Sequence, residues 1–253
     1  MTITNVALQD LLNNLLNANQ ISDYCPNGLQ VEGKRDIRKI VTGVTASQAL
    51  IEQAIAHQAD AILVHHGYFW KGEDATITGM KYRRIKALLE HDINVFAYHL
   101  PLDVHPVLGN NAQLAALLGI TSIKPLSGVK PEGVVMTGEF DSDVTVESLK
   151  QRLSDKLDRQ PMVAGPENKA IGSVAWCTGG GQGFIEQAAA YGVDAFITGE
   201  VSEQTVHTAR ECNIAFFAAG HHATERYGVK ALGEYLETEC QLQVTFIDVP
   251  NPA

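Results

Sequence analysis

Ile40 to His66 reads IVTGVTASQALIEQAIAHQADAILVHH, and Val174 to Glu200 reads VAWCTGGGQGFIEQAAAYGVDAFITGE. The two align without a gap at an offset of 134 residues. Ile51-Glu52-Gln53-Ala54 falls on Ile185-Glu186-Gln187-Ala188, and Asp60-Ala61 on Asp194-Ala195. Each stretch passes from an apolar run through a loop of small residues and an amphipathic helix into a second apolar run. That is a βαβ unit, whose right-handed crossover makes its strands parallel. Two βαβ units resemble each other to some degree by chance, but a match with no gap favours duplication.

The likeness extends outward. After His66 the pattern predicts a loop, a helix near Lys81 to His91 and a strand from Ile93 to Tyr98. After Glu200 it predicts a helix near Ser202 to Cys212 and a strand from Ile214 to Ala219. Each half then enters another helix, Asn110 to Leu118 or Ala223 to Glu237. Lys124 to Lys169 matches neither half. It opens on the Pro/Gly-rich Pro125 to Gly133, followed by a predicted strand, Val134 to Phe140, and helix, Val146 to Leu157. Val6 to Leu16 has helical periodicity, and Asn27-Gly28 marks a turn before Leu29-Gln30-Val31. The expectation is an α/β fold: two similar βαβ-containing halves, 1–124 and 171–253, forming one duplicated core, with a small α+β subdomain, 125–170, inserted between them.

At 45% hydrophobic and 19% charged, the 253 residues suffice for a sizeable core. A net charge of −10 excludes a whole-protein basic footprint for nucleic acid. Lys81, Arg83, Arg84 and Lys86 form the one dense basic cluster, which a solvated helix face explains at least as well as DNA contact. Cys25, Cys177, Cys212 and Cys240 are scattered with no CxxC pair, which argues against a disulfide framework or a cysteine zinc site and for a reducing, cytoplasmic setting. Met1 to Asp10 lacks the pattern of a signal peptide, and no apolar run is long enough to span a bilayer.

In open α/β sheets, function gathers beyond the carboxyl ends of the strands. Four stations fall there: His65-His66, His99-Leu100-Pro101-Leu102-Asp103, Glu200, and His221-His222-Ala223-Thr224-Glu225. Each carries a histidine or a carboxylate, although the chain has only nine histidines. Adjacent strand residues point to opposite faces, so His65 and His66 serve one crevice only where the strand ends; Gly67 lets the chain turn there. His221 and Glu225, four apart, share one face of a helix. His65, His66, Asp103, His221 and Glu225 thus make a nitrogen/oxygen set able to hold two divalent ions. Iron, manganese, cobalt, nickel or zinc suits it better than magnesium or calcium. Taken singly, Asp103 could be a turn residue and Glu225 a solvated helix carboxylate. His222 reads as a surface residue or one that supports a ligand. His99 either ligates or, like Glu200, moves protons. His57, His91, His105 and His207 have no convergent partners and read as structural or exposed.

Thr178-Gly179-Gly180-Gly181-Gln182-Gly183 joins a strand to a helix. It either cradles a phosphate or packs tightly, and it is not a Walker loop. Phe69-Trp70-Lys71 follows the histidine pair. Its aromatics could wall a substrate pocket, stack on a base, or serve the core or a subunit contact.

Asn27-Gly28-Leu29-Gln30-Val31, His65-His66-Gly67, His99 to Asp103 and Gly220 to Glu225 resemble the signatures of the GTP cyclohydrolase 1 type 2 family, also described as dinuclear-metal-centre proteins. The resemblance covers nearly the whole chain and is nearest to the short enterobacterial-type members. It implies a toroidal homohexamer with two metal ions in each subunit. It also implies the ligands His65, His66, Asp103, His221 and Glu225, with Glu225 bridging and the two adjacent histidines divided between the ions. The implied reaction is opening of the guanine imidazole ring of a nucleotide by metal-activated water. The family's usual Asp-Asn-Gly-Leu-Gln reads Pro26-Asn27-Gly28-Leu29-Gln30 after Cys25. Its His-Thr-Asn-Leu-Asp reads His99 to Asp103 with Leu100 and Pro101 in place of Thr and Asn, so substrate contacts differ while ligands remain. The residues alone leave two alternatives: a metal-dependent phosphoesterase, or a non-enzymatic metal-binding ring or scaffold, possibly contacting DNA.

Overall fold

The computed structural model describes residues 1–142 and 144–253. Two units emerge, Met1–Leu102 with Gly228–Pro250, and Asp103–Tyr227 with Asn251–Ala253. The elements of the first part of the chain are β1 (Ile3–Thr4), α1 (Asn5–Leu15), β2 (Gly28–Val31), β3 (Asp36–Ile37), β4 (Lys39–Thr45), α2 (Gln48–Ala56), β5 (Ala61–His66), α3 (Gly79–Glu90), β6 (Asn94–Ala97) and α4 (Leu100–Asp103). There follow α5 (Asn110–Leu118), β7 (Ile120–Pro125), β8 (Met136–Thr145), α6 (Val146–Leu157), β9 (Met162–Ala164), β10 (Ala170–Cys177), α7 (Ile185–Tyr191), β11 (Ala195–Thr198), α8 (Glu203–Glu211), β12 (Ala215–Ala218), α9 (His221–Cys240) and β13 (Gln243–Phe246).

In the first unit the strands run β13-β4-β5-β6-β2, with β13 to β6 parallel and β2 antiparallel at the edge. The β-branched runs that make β4 and β5 are buried, as parallel strands covered by helices must be. Leu50, Ile51 and Ala54 of α2 pack with Val41, Ile62, Val64 and Val95 of the sheet. Ser47 starts α2 by accepting a hydrogen bond from the Leu50 amide at 3.3 Å. A side chain at Gly43 would come within 2.8 Å of both Leu50 methyls, so this glycine sets how closely α2 lies on β4.

In the second unit the order is β7-β8-β10-β11-β12-β9. β10, β11 and β12 pair with one another in parallel; β8 and β9 flank them antiparallel. Trp176, Ile197 and Phe217 form the core with Leu149, Leu153 and Leu157 of α6. The segment 125–170 therefore supplies two strands and a helix to this sheet and shares its core.

The duplication reaches the register of the strands. Ile40 pairs with Ala61, and its repeat counterpart Val174 pairs with Ala195. The same carboxylate bolts each unit together. Asp60 Oδ2 accepts the Arg38 and Lys39 amides at 2.9 and 3.0 Å. Asp194 Oδ2 accepts the corresponding Gly172 and Ser173 amides at 3.1 and 3.0 Å.

Candidate metal centre

In the first unit, β5 runs through the second histidine, and Thr45 is still paired with His66. The two imidazoles nevertheless lie 4.5 Å apart, because each leans on a different neighbouring strand. His65 is buried and its Nδ1 donates to the Tyr98 carbonyl at 3.0 Å. A carbonyl only accepts, so the proton sits on Nδ1 and the lone pair of the neutral ring on Nε2. His66 Nδ1 lies 3.2 Å from the Thr45 hydroxyl. His99 completes a trio, its ring 5.1 Å from that of His65 and 5.9 Å from that of His66. One ligand atom from each of the three lies within 4.8 Å of the others. Gly67 is required here: a Cβ would stand 2.1 Å from Gln30 Oε1 and 2.6 Å from Ala97 Cβ.

Asp23, which the sequence did not single out, organises this corner. Its Oδ1 accepts His99 Nδ1 at 2.7 Å and the Tyr24 amide at 2.6 Å. Its Oδ2 accepts Asn27 Nδ2 and the Leu100 amide, both at 2.9 Å. Asn27 Oδ1 in turn accepts the His99 amide at 2.8 Å. Burial would raise the Asp23 carboxyl, but the hydrogen bond and charge of His99, with Asn27 and the Tyr24 amide, hold it below the ordinary range. Asp23, Cys25 and His99 also stand close enough to suggest a ligand group. With both Asp23 oxygens doubly engaged, and the Cys25 thiol pushed up to about 12 by burial and by the Asp23 charge, that trio is a support and not a site.

In the second unit, α9 begins at His221, two residues before the predicted start, so His221 and Glu225 occupy its first turns. His221 Nδ1 donates to Glu200 Oε1 at 2.7 Å, while its Nε2 lies 3.2 Å from Glu225 Oε2. Burial would lower the His221 pKa. The hydrogen bond and charge of Glu225, joined by those of Glu200, outweigh it and raise the value to about 9. Glu200 is itself held by Gln182 Nε2 at 3.1 Å. Asp103 is buried, and its Oδ1 accepts Asn110 Nδ2 at 2.8 Å and the Thr178 hydroxyl at 3.4 Å.

The glycine loop turns its amides inward. Thr178 N donates to Asn111 Oδ1, Gly179 N to the Thr224 hydroxyl, and Gly181 N to the Thr198 hydroxyl, at 3.1, 3.0 and 3.0 Å. Those three groups are committed to the loop's own packing and not to an anion. Gly179, at φ 65°, lies where a Cβ would stand 2.0 Å from Glu225 Oε1 and 3.0 Å from His221 Nε2. The glycine makes room for the pair. His222 is buried, not on the surface, whereas His57, His91 and His207 are exposed. His105 Nδ1 accepts the Leu108 amide at 2.9 Å.

The donor sets fit divalent metal. Imidazoles whose Nδ1 protons are claimed by a carbonyl or a carboxylate present Nε2, the arrangement that orients histidine ligands.

A model of Duf34/NIF3 (NGG1p interacting factor 3) matches residues 1–252. The chain belongs to this family. A Yersinia pestis member named GTP cyclohydrolase 1 type 2 homolog is 60% identical over 250 residues, 98% of this chain and 99% of that one. The Escherichia coli K12 protein of the same name is 57% identical over 250 residues, again 98% and 99% of the two chains. Among solved structures, the family protein ybgI, described as of unknown function, superposes with a TM-score of 0.94 at 57% identity, covering 99% of this chain and 100% of that one. TTHA1606 from Thermus thermophilus gives 0.88 at 33%, covering 99% and 100%. These relatives support the duplicated α/β fold along the full length of the match.

Among the described residues no helix is long and apolar enough to cross a membrane. In the basic cluster, Lys81 Nζ lies 3.4 Å from Glu73 and Lys86 Nζ 3.5 Å from Glu90, so two of its four charges are locally paired.

Proposed function

We propose that the protein is a dinuclear-metal-dependent hydrolase that opens the imidazole ring of a guanine nucleotide, as the name of its bacterial relatives suggests. His65, His66, Asp103, His221 and Glu225 are the ligands, and iron, manganese, zinc, cobalt and nickel all suit them. The observation that carries this reading is the orientation of the histidines: Tyr98 fixes His65 and Glu200 fixes His221, each through Nδ1. Metal-ligating histidines almost always donate the proton of their other ring nitrogen to a carbonyl or carboxylate in this way. Bound divalent ions supply Lewis acidity and lower the pKa of water.

The chain's own residues do the rest. Glu225 faces His221 Nε2, and that nitrogen would have to give up its proton to hold a divalent ion, so loading would release a proton. His99, its Nδ1 committed to Asp23, offers Nε2 as the proton acceptor beside the histidine pair. Glu200, bonded to His221 and half-exposed, connects that ring to solvent for proton exchange. The assembly we propose is a homohexamer, to be checked by mass in solution.

The test is GTP turnover by manganese-, iron- or zinc-loaded protein beside a His66→Ala variant. Formate release by the wild type and a loss on the order of 100-fold or more in the variant are expected, as for removal of a group that stabilises the transition state. Equal rates would sink the reading.

A further inference from the structure

Beside the histidine trio of the first unit stand two aromatic rings that the metal chemistry does not use. Trp70 meets His99 edge-to-face with centroids 4.9 Å apart, and lies 5.9 Å from His66. Tyr24 lies 6.5 Å from the same His99 ring and is 63% exposed. The two segments are stitched together, since the Lys71 amide donates to the Tyr24 carbonyl at 2.6 Å.

The backbone is bent to place the indole there. Tyr68 points inward: its hydroxyl donates to the Ala46 carbonyl at 2.8 Å and its amide to Gln30 Oε1 at 2.7 Å. Phe69 then adopts a left-handed φ of 65°, a strained conformation for a bulky residue. The next residue, Trp70, folds back and donates its Nε1 proton to the Gly67 carbonyl at 3.3 Å. Lys81 holds the bend from outside, with Nζ 5.0 Å from the Phe69 ring centroid, 3.4 Å from Glu73 and 3.0 Å from the Asp74 carbonyl. The indole's polar atom is therefore satisfied by the chain, and what it has left to offer is its apolar π-face. A solvent-reaching phenol and a partly buried indole, both against a ring that flanks the histidine pair, match a flat π-system with a polar edge. They do not match a phosphate or an aliphatic acid.

We infer that Tyr24 and Trp70 form a stacking subsite for a planar purine ring. The inference rests on the proposed hydrolysis only for its choice of purine. The choice of Tyr24 and Trp70 follows from their both flanking His99 beside the histidine pair.

The chain carries its own reporter. Its two tryptophans are Trp70 and Trp176, and Trp176 is completely buried in the core of the second unit. A ligand laid on the first unit's rings quenches Trp70 alone. The experiment titrates chelator-treated, full-length protein with guanosine, GMP and ribose 5-phosphate, by tryptophan emission for the wild type and by calorimetry for the variants Tyr24→Ala, Trp70→Leu and Trp70→Phe. Saturable quenching by guanosine and GMP but not by ribose 5-phosphate is expected. Base–aromatic stacking corresponds to about a 5- to 150-fold change in Kd, so Tyr24→Ala and Trp70→Leu should weaken binding by that much while Trp70→Phe keeps most of it. Ribose 5-phosphate binding as tightly as guanosine, or both truncations binding guanosine like the wild type, overturns the subsite. Should Trp70→Leu fail to fold, the exposed Tyr24→Ala decides alone. Base binding without turnover in the metal-loaded enzyme would uphold the subsite and sink cyclohydrolysis. Turnover with an unchanged KM in Tyr24→Ala would do the reverse.

Discussion

The two units share a skeleton and differ at one end of it. Strand register, the βαβ crossover and the aspartate that bolts the start of the first strand are superimposable in sequence, Asp60 on Asp194 and Ile40–Ala61 on Val174–Ala195. Beyond the second strand they part. The first unit puts His65 and His66 on the strand itself and steers them with a backbone carbonyl and a hydroxyl. The second ends β11 two residues earlier in the repeat frame. It draws His221 and Glu225 from a helix and steers His221 with Glu200, the residue standing where the first unit has His66. A duplicated scaffold thus keeps what folds it and varies what reacts. The carboxylate at position 200 bonds a histidine proposed as a ligand, where its counterpart is proposed to be a ligand itself.

The largest effect expected from breaking this contrast is at Gly179. Gly179→Ala drives a methyl into Glu225 Oε1 from a backbone already at φ 65°. Zinc affinity, followed by calorimetric titration, should fall by more than the roughly 10- to 100-fold that accompanies loss of an outer-shell partner. Wild-type affinity would mean that Glu225 is not a ligand. Next comes Glu200→Gln, which keeps shape but removes the charge facing His221, with an expected weakening of about 10- to 100-fold. Asp23→Asn is its counterpart in the first unit. Because Asp23 orients His99 and none of the proposed ligands, it should lower turnover and leave zinc affinity as it was. Equal effects of the two changes on affinity would erase the distinction between a steered ligand and a steered proton carrier.

Smaller effects probe what the units hold in common. Burial raises the carboxyls of Asp60 and Asp194, but their backbone amides, with Ser173 and the neighbouring lysines, more than offset it and hold both below the ordinary range. A depressed carboxyl stabilises the fold fully above the unfolded pKa of about 3.9, and the contribution disappears as pH falls through the lower folded value. Asp60→Asn and Asp194→Asn should each cost about 1–2 kcal/mol at neutral pH and flatten the acid limb of stability, read by urea unfolding between pH 7 and about pH 2. A difference well beyond that range between the two would show that the bolts are not equivalent. Smallest of all, Lys34→Ala and Lys169→Ala remove surface partners at 2.9 and 3.4 Å, and should cost about 0.2–1 kcal/mol and less in high salt.

Much of this was legible in the sequence because it is periodic or local. The gapless repeat fixed both crossovers, and α5 and α6 have the predicted bounds because loop residues and apolar spacing agree there. The edges were not legible. β13 reads Gln243-Val244-Thr245-Phe246, too short to declare a partner, and nothing local says that it pairs with β4. β9, three residues long, is a strand only because Phe216, Phe217 and Ala218 of β12 offer it hydrogen bonds. At the candidate site, the histidines and carboxylates stood out by type and by position at strand ends. Asp23 did not, because its role exists only through His99, 76 residues away. The glycine loop left two readings open for a related reason: glycine permits an anion cradle and close packing alike, and it is the side chains of Asn111, Thr198 and Thr224 that engage three of its amides.

The pairing of β13 with β4 has a consequence for synthesis on the ribosome. Gln243 is added about 200 residues after its partner Lys39. At typical elongation rates the nascent first sheet waits on the order of 10–40 s with one edge of β4 open. The second unit spans Asp103–Tyr227, apart from its short tail, and emerges within that interval. The half that is begun first is therefore finished last, and it is the one to guard against premature contacts while it waits.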